Sequence, residues 1–349
     1  MAIADEVRKP QHFKETAKKK KKSFREAFIP SKNDSSKELF SKVFSLFSLL
    51  VLVVCIGILG VYFYHQFEAK QNNEDIRVIY NNAVQDSVVT TQPAPQQPAN
   101  PEEETQEIVR QPLVVSSAAE EMLAINPNYA GYLYIPDVMS EAVVKYTDND
   151  YYLNHNIYDQ KRSCGTVFAD FRNTVNDYSD RMSDNIILYG HNQKDGTMFG
   201  NMDYYKWDYK YWLKNPFIYF DNLYESGTYV IISSFVINTE PEHDNGNVFD
   251  YNNFINFKSE GPYTYENFIK EITDRSHFIT GIDVNEEDKF LTLSTCTYEW
   301  EPARHVIVAR RLRPGETTDS IDTTNFSVNS NPKWPAIYYK YNGGSYVEQ

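Results

Sequence analysis

The sequence predicts a mainly β domain, an eight-stranded closed or nearly closed barrel, carried behind a single membrane-spanning helix. Three observations lead there. Eight short strand-like segments with turn-rich connections recur between residues 131 and 312. The aromatic residues, 27 Tyr and 21 Phe, favour pleated, half-buried surfaces over helices. Ahead of them, residues 43–64 form a 22-residue run without a charge, rich in Leu, Val, Ile and Phe.

In chain order, residues 1–42 form a basic head with 12 Lys and Arg against 6 Asp and Glu, including the block Lys18 to Lys22. It lacks apolar periodicity and reads as disordered. Lying just before a membrane span, the block suits contact with anionic lipid headgroups better than nucleic acid. As a helix the run over 43–64 would be about 33 Å long, enough to span a bilayer. A signal peptide has a shorter apolar core and a small-residue cleavage site, whereas Tyr62, Phe63 and Tyr64 read as an interfacial anchor. Positive charge on the amino-terminal side keeps the head inside and the rest outside.

Residues 65–116 read as stalk and linker. The stretch from Glu68 to Asp86 is a short helical stalk, and residues 90–107 are rich in Pro, Gln, Glu and Ala, an extended segment that reaches up to roughly 55 Å. The folded domain spans residues 117–313. It opens with a helix whose start, Ser117-Ala118-Ala119-Glu120, matches a capping box and whose end is set by Asn126-Pro127. Strands follow at 131–135, 142–146, 165–169, 185–189, 217–220, 228–236, 290–295 and 305–312. Between the sixth and seventh strands a long insertion, 238–288, contains an amphipathic helix over about 264–276. In the tail, 314–349, residues 317–331 are polar and mobile, while Trp334, Ile337, Tyr338, Tyr339 and Tyr341 can dock on the barrel.

Net charge is −14, and the acidic outer part lacks a basic stripe with interleaved aromatics, which excludes nucleic acid as a partner. Three cysteines, Cys55, Cys164 and Cys296, exclude a disulfide framework. The Cys and His residues lack metal-ligand spacing, and there is no phosphate loop, so no metal and no cofactor is expected.

The chemistry gathers at Phe290-Leu291-Thr292-Leu293-Ser294-Thr295-Cys296. Alternation puts Leu291, Leu293 and Thr295 on one face and Thr292, Ser294 and Cys296 on the other, so the thiol stands at an exposed strand end facing a groove. A thiol needs a base or a cation to act as a nucleophile. His191 follows the apolar strand 185–189 and opens a polar turn, the kind of position where sites are built. A lone cysteine is more often a small inert hydrophobe, and His155, His243, His277 and His305 compete with His191 on composition alone. Cys164, in an apolar strand, reads as structural.

Together these stretches resemble the sortases, cysteine transpeptidases of Gram-positive surfaces, and in particular class B. The resemblance rests on Leu291 to Cys296 with its Ser294-Thr295-Cys296 form, on Asn149-Asp150-Tyr151-Tyr152-Leu153-Asn154-His155, on Gly165-Thr166-Val167-Phe168 through Asp170-Phe171-Arg172-Asn173, and on Gly190-His191-Asn192 with Asp195-Gly196 and Met198-Phe199-Gly200. It covers residues 119–313. It implies a sortase-type barrel in which the helix-bearing insertion forms one wall of the substrate groove. Cys296 would be the nucleophile, His191 the general acid and base, and Arg304 the group that holds substrate carbonyls and the developing oxyanion; Ser294, Thr295 and Asn192 would contact substrate. The implied partners are surface proteins with a C-terminal sorting motif, of the Asn-Pro-X-Thr-Asn or Ser-Pro-X-Thr-Gly kind, and an amine acceptor from a peptidoglycan cross-bridge or a pilin lysine. An endopeptidase sharing the acyl-enzyme, and an inactive membrane-tethered adhesion or scaffold protein, are the alternatives.

Strand geometry bears on the arginine. If 290–295 and 305–312 are antiparallel neighbours, Arg304 starts the second strand beside the thiol. Arg310 then lies six residues on, roughly 20 Å away, and Arg311 points to the other face.

Overall fold

The computed structural model describes residues 28–90 and 111–344, without the side chains of 86–90. The basic block at Lys18 to Lys22 and most of the Pro-rich linker lie outside the described residues. Two compact units divide the chain, Met1–Tyr64 and His65–Gln349. A single helix, α1 (Ser36–Thr90), runs through the boundary between them. In the first unit its apolar side chains stand exposed, Leu50 by 61% and Phe63 by 65%, and the helix is long and apolar enough to cross a membrane. Lys42 there pairs with Asp34 at 2.8 Å.

In the second unit the segment from Glu68 to Asp86 is helical, but it lies docked on the barrel. Ile76, Tyr80 and Ala83 are buried with Ala118, Ala119 and Met122 of α2 (Ser117–Ile125) and with Tyr132 and Val144 of the barrel. Tyr80 stacks on Tyr132 at 3.8 Å, and Arg162 holds Glu68 through two bonds of 2.7 and 2.9 Å. Apolar residues spaced 76, 80 and 83 share one helix face, which is the physical reason this stretch docks. The N-cap of α2 is Ser116 rather than Ser117: its backbone is extended and its hydroxyl accepts the N–H of Ala119. Asn126 ends the helix as the sequence predicts.

The strands are β1 (Tyr129–Ile135), β2 (Met139–Lys145), β3 (Val167–Ala169), β4 (Asn185–Tyr189), then helices α3 (Tyr204–Trp207) and α4 (Tyr209–Lys214), and β5 (Phe217–Asn222) and β6 (Ser226–Asn238). After β6 come α5 (Tyr265–Arg275), β7 (Phe278–Ile279), β8 (Phe290–Thr297), β9 (Ala303–Arg311), β10 (Ser327–Val328) and α6 (Ala336–Asn342). Eight strands close a barrel in the order β1-β2-β3-β4-β8-β9-β6-β5. The pairs β2/β3 and β4/β8 are parallel, and the other six are antiparallel.

Alternation sends Ile186, Leu188, Leu291, Leu293, Ile307 and Ala309 into the barrel. The residues between them, Ile187, Phe290, Val306 and Val308, point outwards and are buried under the insertion by Phe254, Phe268 and Ile272. That double burial explains why Val306-Ile307-Val308-Ala309 is apolar without alternation. Helix α5 is capped by Thr264, whose hydroxyl accepts from Asn267 N, and lies within the range the sequence predicts.

Further expectations need correction. Cys164 lies in the turn before β3, not in an apolar strand, because the strand begins only at Val167. The polar part of the tail is also structured: Ser327 and Val328 pair with Ile279 and Phe278, and Phe326 is buried in the barrel core. One large apolar side chain fixes a stretch that composition marks as mobile. Trp334 and Ile337 do dock, against Val236, Trp300 and Ala303, while Tyr341 is exposed.

Candidate active site

Three adjacent strands bring the site together. β4 runs parallel to β8 with Tyr189 beside Ser294, so the residues that follow, Gly190 and His191, arrive level with Thr295 and Cys296. β9 runs antiparallel to β8 with Cys296 opposite Arg304, and Phe290 opposite Arg310 at the far end. The thiol is exposed at the end of an otherwise buried strand. Cys55, Cys164 and Cys296 are all free, and burial pushes the Cys164 thiol above its ordinary range.

Cys296, His191 and Arg304 line one open groove of about 400 Å³. Its floor is Ser294 to Cys296, one wall is Val248 to Asn252 of the insertion, and Asn149 and Leu153 close the side where the imidazole sits. His191 Nε2 lies 2.7 Å from the carbonyl oxygen of Leu153. A carbonyl only accepts, so Nε2 carries a proton and the ring is either that tautomer or the imidazolium. Nδ1 is thus the nitrogen left to exchange a proton. Arg304 makes one hydrogen bond among the described residues, from Nη1 to the Ala303 carbonyl, so most of its fork of donors remains for a ligand.

The loop and strand are stitched together by the side chains expected to contact substrate. Thr295 Oγ1 donates to the Gly190 carbonyl at 2.7 Å. Asn192 Nδ2 donates to the Cys296 carbonyl at 3.0 Å, and Ser294 Oγ shares a 2.7 Å bond with the Tyr251 hydroxyl. Burial raises the Tyr251 phenol above its ordinary range, so it stays neutral at the groove wall.

The Asp170 to Asn173 stretch braces this frame. Burial works against the Asp170 charge, but Arg172 at 2.9 Å, together with the Tyr189 hydroxyl, holds its carboxyl below the usual range. Asp170 also accepts from Asn149, and Asn173 bonds the backbone of Asn185 and Ile187 on β4. Among the described residues no three His, Cys, Asp or Glu side chains gather in a way that could hold a metal ion.

The Listeria monocytogenes sortase B is 30% identical to this chain over 198 residues, which make up 55% of this chain and 73% of that protein. The chain belongs to the sortase B family. Sortase B of Staphylococcus aureus is 28% identical over 198 residues, 56% of this chain and 74% of that protein. A solved S. aureus sortase B–substrate complex matches at a TM-score of 0.50 and 27% identity, covering 57% of this chain and 86% of that one. No protein-family model matches the chain.

Within this sortase B-like chain His155, His243, His277 and His305 do not line the groove. His155 stacks on Tyr151 at 4.0 Å, and His277 and His305 are buried, which lowers the pKa of both and keeps them neutral. Sequence reasoning missed Leu153 and Tyr251 as groove residues. Leu153 lies in a matched motif, but its contribution is a backbone carbonyl, which residue identity does not encode. Tyr251 opens a single 3-10 turn (Tyr251–Asn253) in the insertion and reaches Ser294 only through tertiary packing.

Proposed function

We propose that this protein is a membrane-anchored class B-like sortase that cleaves a C-terminal sorting motif after Thr and transfers the acyl group to an amine. Cys296 Sγ gives its proton to His191 Nδ1 and attacks the threonine carbonyl carbon. The C–N bond breaks, and His191 gives its proton to the leaving amine. The resulting thioester is attacked by the acceptor amine, His191 takes that amine's proton, and Sγ leaves as the new amide forms. Arg304 binds the carbonyl oxygen and the charge that develops on it. Ser294, Thr295 and Asn192 shape the substrate floor.

The observation that carries this reading is the convergence of Cys296, His191 and Arg304, from three neighbouring strands, on one groove. The S. aureus relative has been solved with a substrate, which supports a peptide in the equivalent groove here. We assign anchoring to residues 43–64, with the basic head against anionic lipid in the cytoplasm and the catalytic domain of residues 117–313 outside the cell. The acceptor is a cell-wall cross-bridge amine in this reading, and a pilin lysine in the polymerising variant.

Incubating the detergent-solubilised protein with Asn-Pro-X-Thr-Asn and Ser-Pro-X-Thr-Gly peptides, and trapping the thioester by mass spectrometry, tests the chemistry. Thioester on Cys296 that is released by amines faster than by water supports a transpeptidase. Release by water alone indicates an endopeptidase, and no thioester with any motif indicates a scaffold. External protease on intact cells tests the topology: cleavage within the Lys18 to Lys22 block would reverse it.

A further inference from the structure

Between the turn after Cys296 and the loop that carries His191 lies a buried lysine, Lys206 on α3, whose side chain is only 4% exposed. Its ammonium donates to Thr297 Oγ1 at 2.7 Å and to Glu299 Oε1 at 2.5 Å, and it forms an ion pair with Asp203 Oδ1 at 3.1 Å. Thr297 in turn donates to the other Glu299 oxygen. Asp203 Oδ1 also accepts from Asn192 Nδ2 at 3.0 Å, and that same Nδ2 donates to the Cys296 carbonyl. The Asn192 carbonyl closes the circuit by accepting from the Tyr298 hydroxyl at 3.1 Å.

As a whole the circuit joins residues next to the nucleophile with the residue next to the base. Thr297 and Glu299 follow Cys296 by one and three positions, and Asn192 follows His191. Both acceptors that face the Asn192 amide are oxygens, so its orientation is fixed with Nδ2 inwards. An ammonium buried beside two carboxylates is a demanding arrangement in low dielectric, and it survives only when each hydrogen-bonding group has a partner. Burial pushes the Glu299 carboxyl up, but Lys206 and Thr297 outweigh it and hold the group ionised below its ordinary range.

We propose that Lys206 is a positioning residue for acyl transfer, clamping the strand end that bears the Cys296 thiol to the loop that bears the His191 imidazole. This rests on the reading of Cys296 and His191 as the acyl-transfer pair. Lys206 does not touch substrate. It sets the separation of thiol and imidazole through Thr297, Glu299, Asp203 and Asn192, and a loosened pair has less thiolate–imidazolium character and a poorer attack geometry.

The test uses the full chain in detergent with three variants: Lys206→Met, the double Lys206→Met/Glu299→Met, and Asp203→Ala. The single Lys206 change strands Glu299 and can unfold the turn. The double change removes both buried charges and keeps apolar volume, which preserves folding. The double variant is expected to melt within a few degrees of the parent and to acylate about 10- to 100-fold more slowly at saturating peptide, with KM within threefold. The pH midpoint of Cys296 alkylation by iodoacetamide should be displaced by about half a unit or more, a shift that a merely structural role would not cause. Asp203→Ala, which cuts the link to Asn192 and the 3.1 Å ion pair with Lys206 but leaves the contacts of Lys206 with Thr297 and Glu299, should slow acylation about fivefold. Lys214→Met, at an exposed ion pair with Asp137, should leave all four readouts unchanged. Parental acylation and an unmoved alkylation profile in the double and Asp203 variants would overturn the proposal. If the double variant does not fold, Asp203→Ala decides alone. A parent that alkylates normally but forms no thioester refutes the sortase reading instead, and the alkylation profile then judges Lys206.

Discussion

The two ends of the β8–β9 hairpin carry the same kind of side chain in opposite circumstances. Arg304 and Arg310 lie on one face of one strand, six residues and roughly 20 Å apart. At the first end the guanidinium opens on the groove beside Cys296, with one bond to a neighbouring carbonyl. At the other it is 1% exposed and held by Glu316 at 2.7 and 3.2 Å. The same residue type is free for a ligand in one place and committed to the fold in the other. The difference lies in what covers the strand end. The tail starts at the far end, where Glu316 meets Arg310, and among the described residues reaches the near end, where Trp334 and Ile337 pack on Trp300 and Ala303 and do not line the groove.

The largest expected effect tests the near end. Replacing Arg304 by Ala should slow thioester formation by a factor on the order of 100 to 1,000, the usual cost of an oxyanion donor, and Lys should rescue poorly because it lacks the planar fork. Stopped-flow acylation with trapped thioester measures it, and a normal rate would remove Arg304 from the site.

At the far end the loss should appear in stability. Arg310→Ala removes two charge-assisted bonds to Glu316, which keeps the Arg313 N–H and some solvent, and should cost roughly 1.5 to 3 kcal/mol in denaturant titration. The acylation rate per folded molecule should stay within a few-fold. An inactive but stable Arg310 variant would break the comparison and the strand register with it.

Deleting the chain from Lys333 onward uncovers Val236, Trp300 and Ala303. Losing the burial of Trp334 and Ile337 should cost roughly 2 to 3 kcal/mol without abolishing thioester formation. An unchanged melting temperature would show that the docked aromatics contribute nothing.

The smallest effect concerns pH. Glu316 is held below the ordinary glutamate value of 4.5, chiefly by Arg310, and Glu299 is held below it by Lys206 and Thr297 against burial. A carboxyl depressed in the folded state contributes stability that is present above its unfolded pKa and is lost as pH falls through the folded one. Stability should therefore decline as pH drops below about 4.5, and Glu316→Gln should make that decline shallower. A variant that tracks the parent at every pH would show that the Arg310 contact is electrostatically silent.

Much of this is legible in the sequence. The period-two pattern of 290–296 puts Leu291 and Leu293 inside and leaves the Cys296 thiol at an open strand end, because side-chain direction in a strand is fixed by backbone geometry alone. An uncharged 22-residue run and the helix of the insertion are likewise local properties, set by composition and by a 3.6-residue period. The relation of Arg304 to Cys296 followed from counting along a hairpin.

Tertiary structure alone decided the rest. That β4 lies parallel to β8, so that His191 arrives beside the thiol from about a hundred residues away, is a matter of strand order, which periodicity does not encode. The docking of residues 68–86, the pinning of the tail by Phe326 and the burial of Lys206 between Asp203 and Glu299 depend on surfaces built by distant segments. A lysine or a polar tail looks solvated in a sequence because its partners are absent from its neighbourhood. Only the closed barrel brings those partners within hydrogen-bond reach, and with them the difference between an arginine that holds the fold and one left open to a ligand.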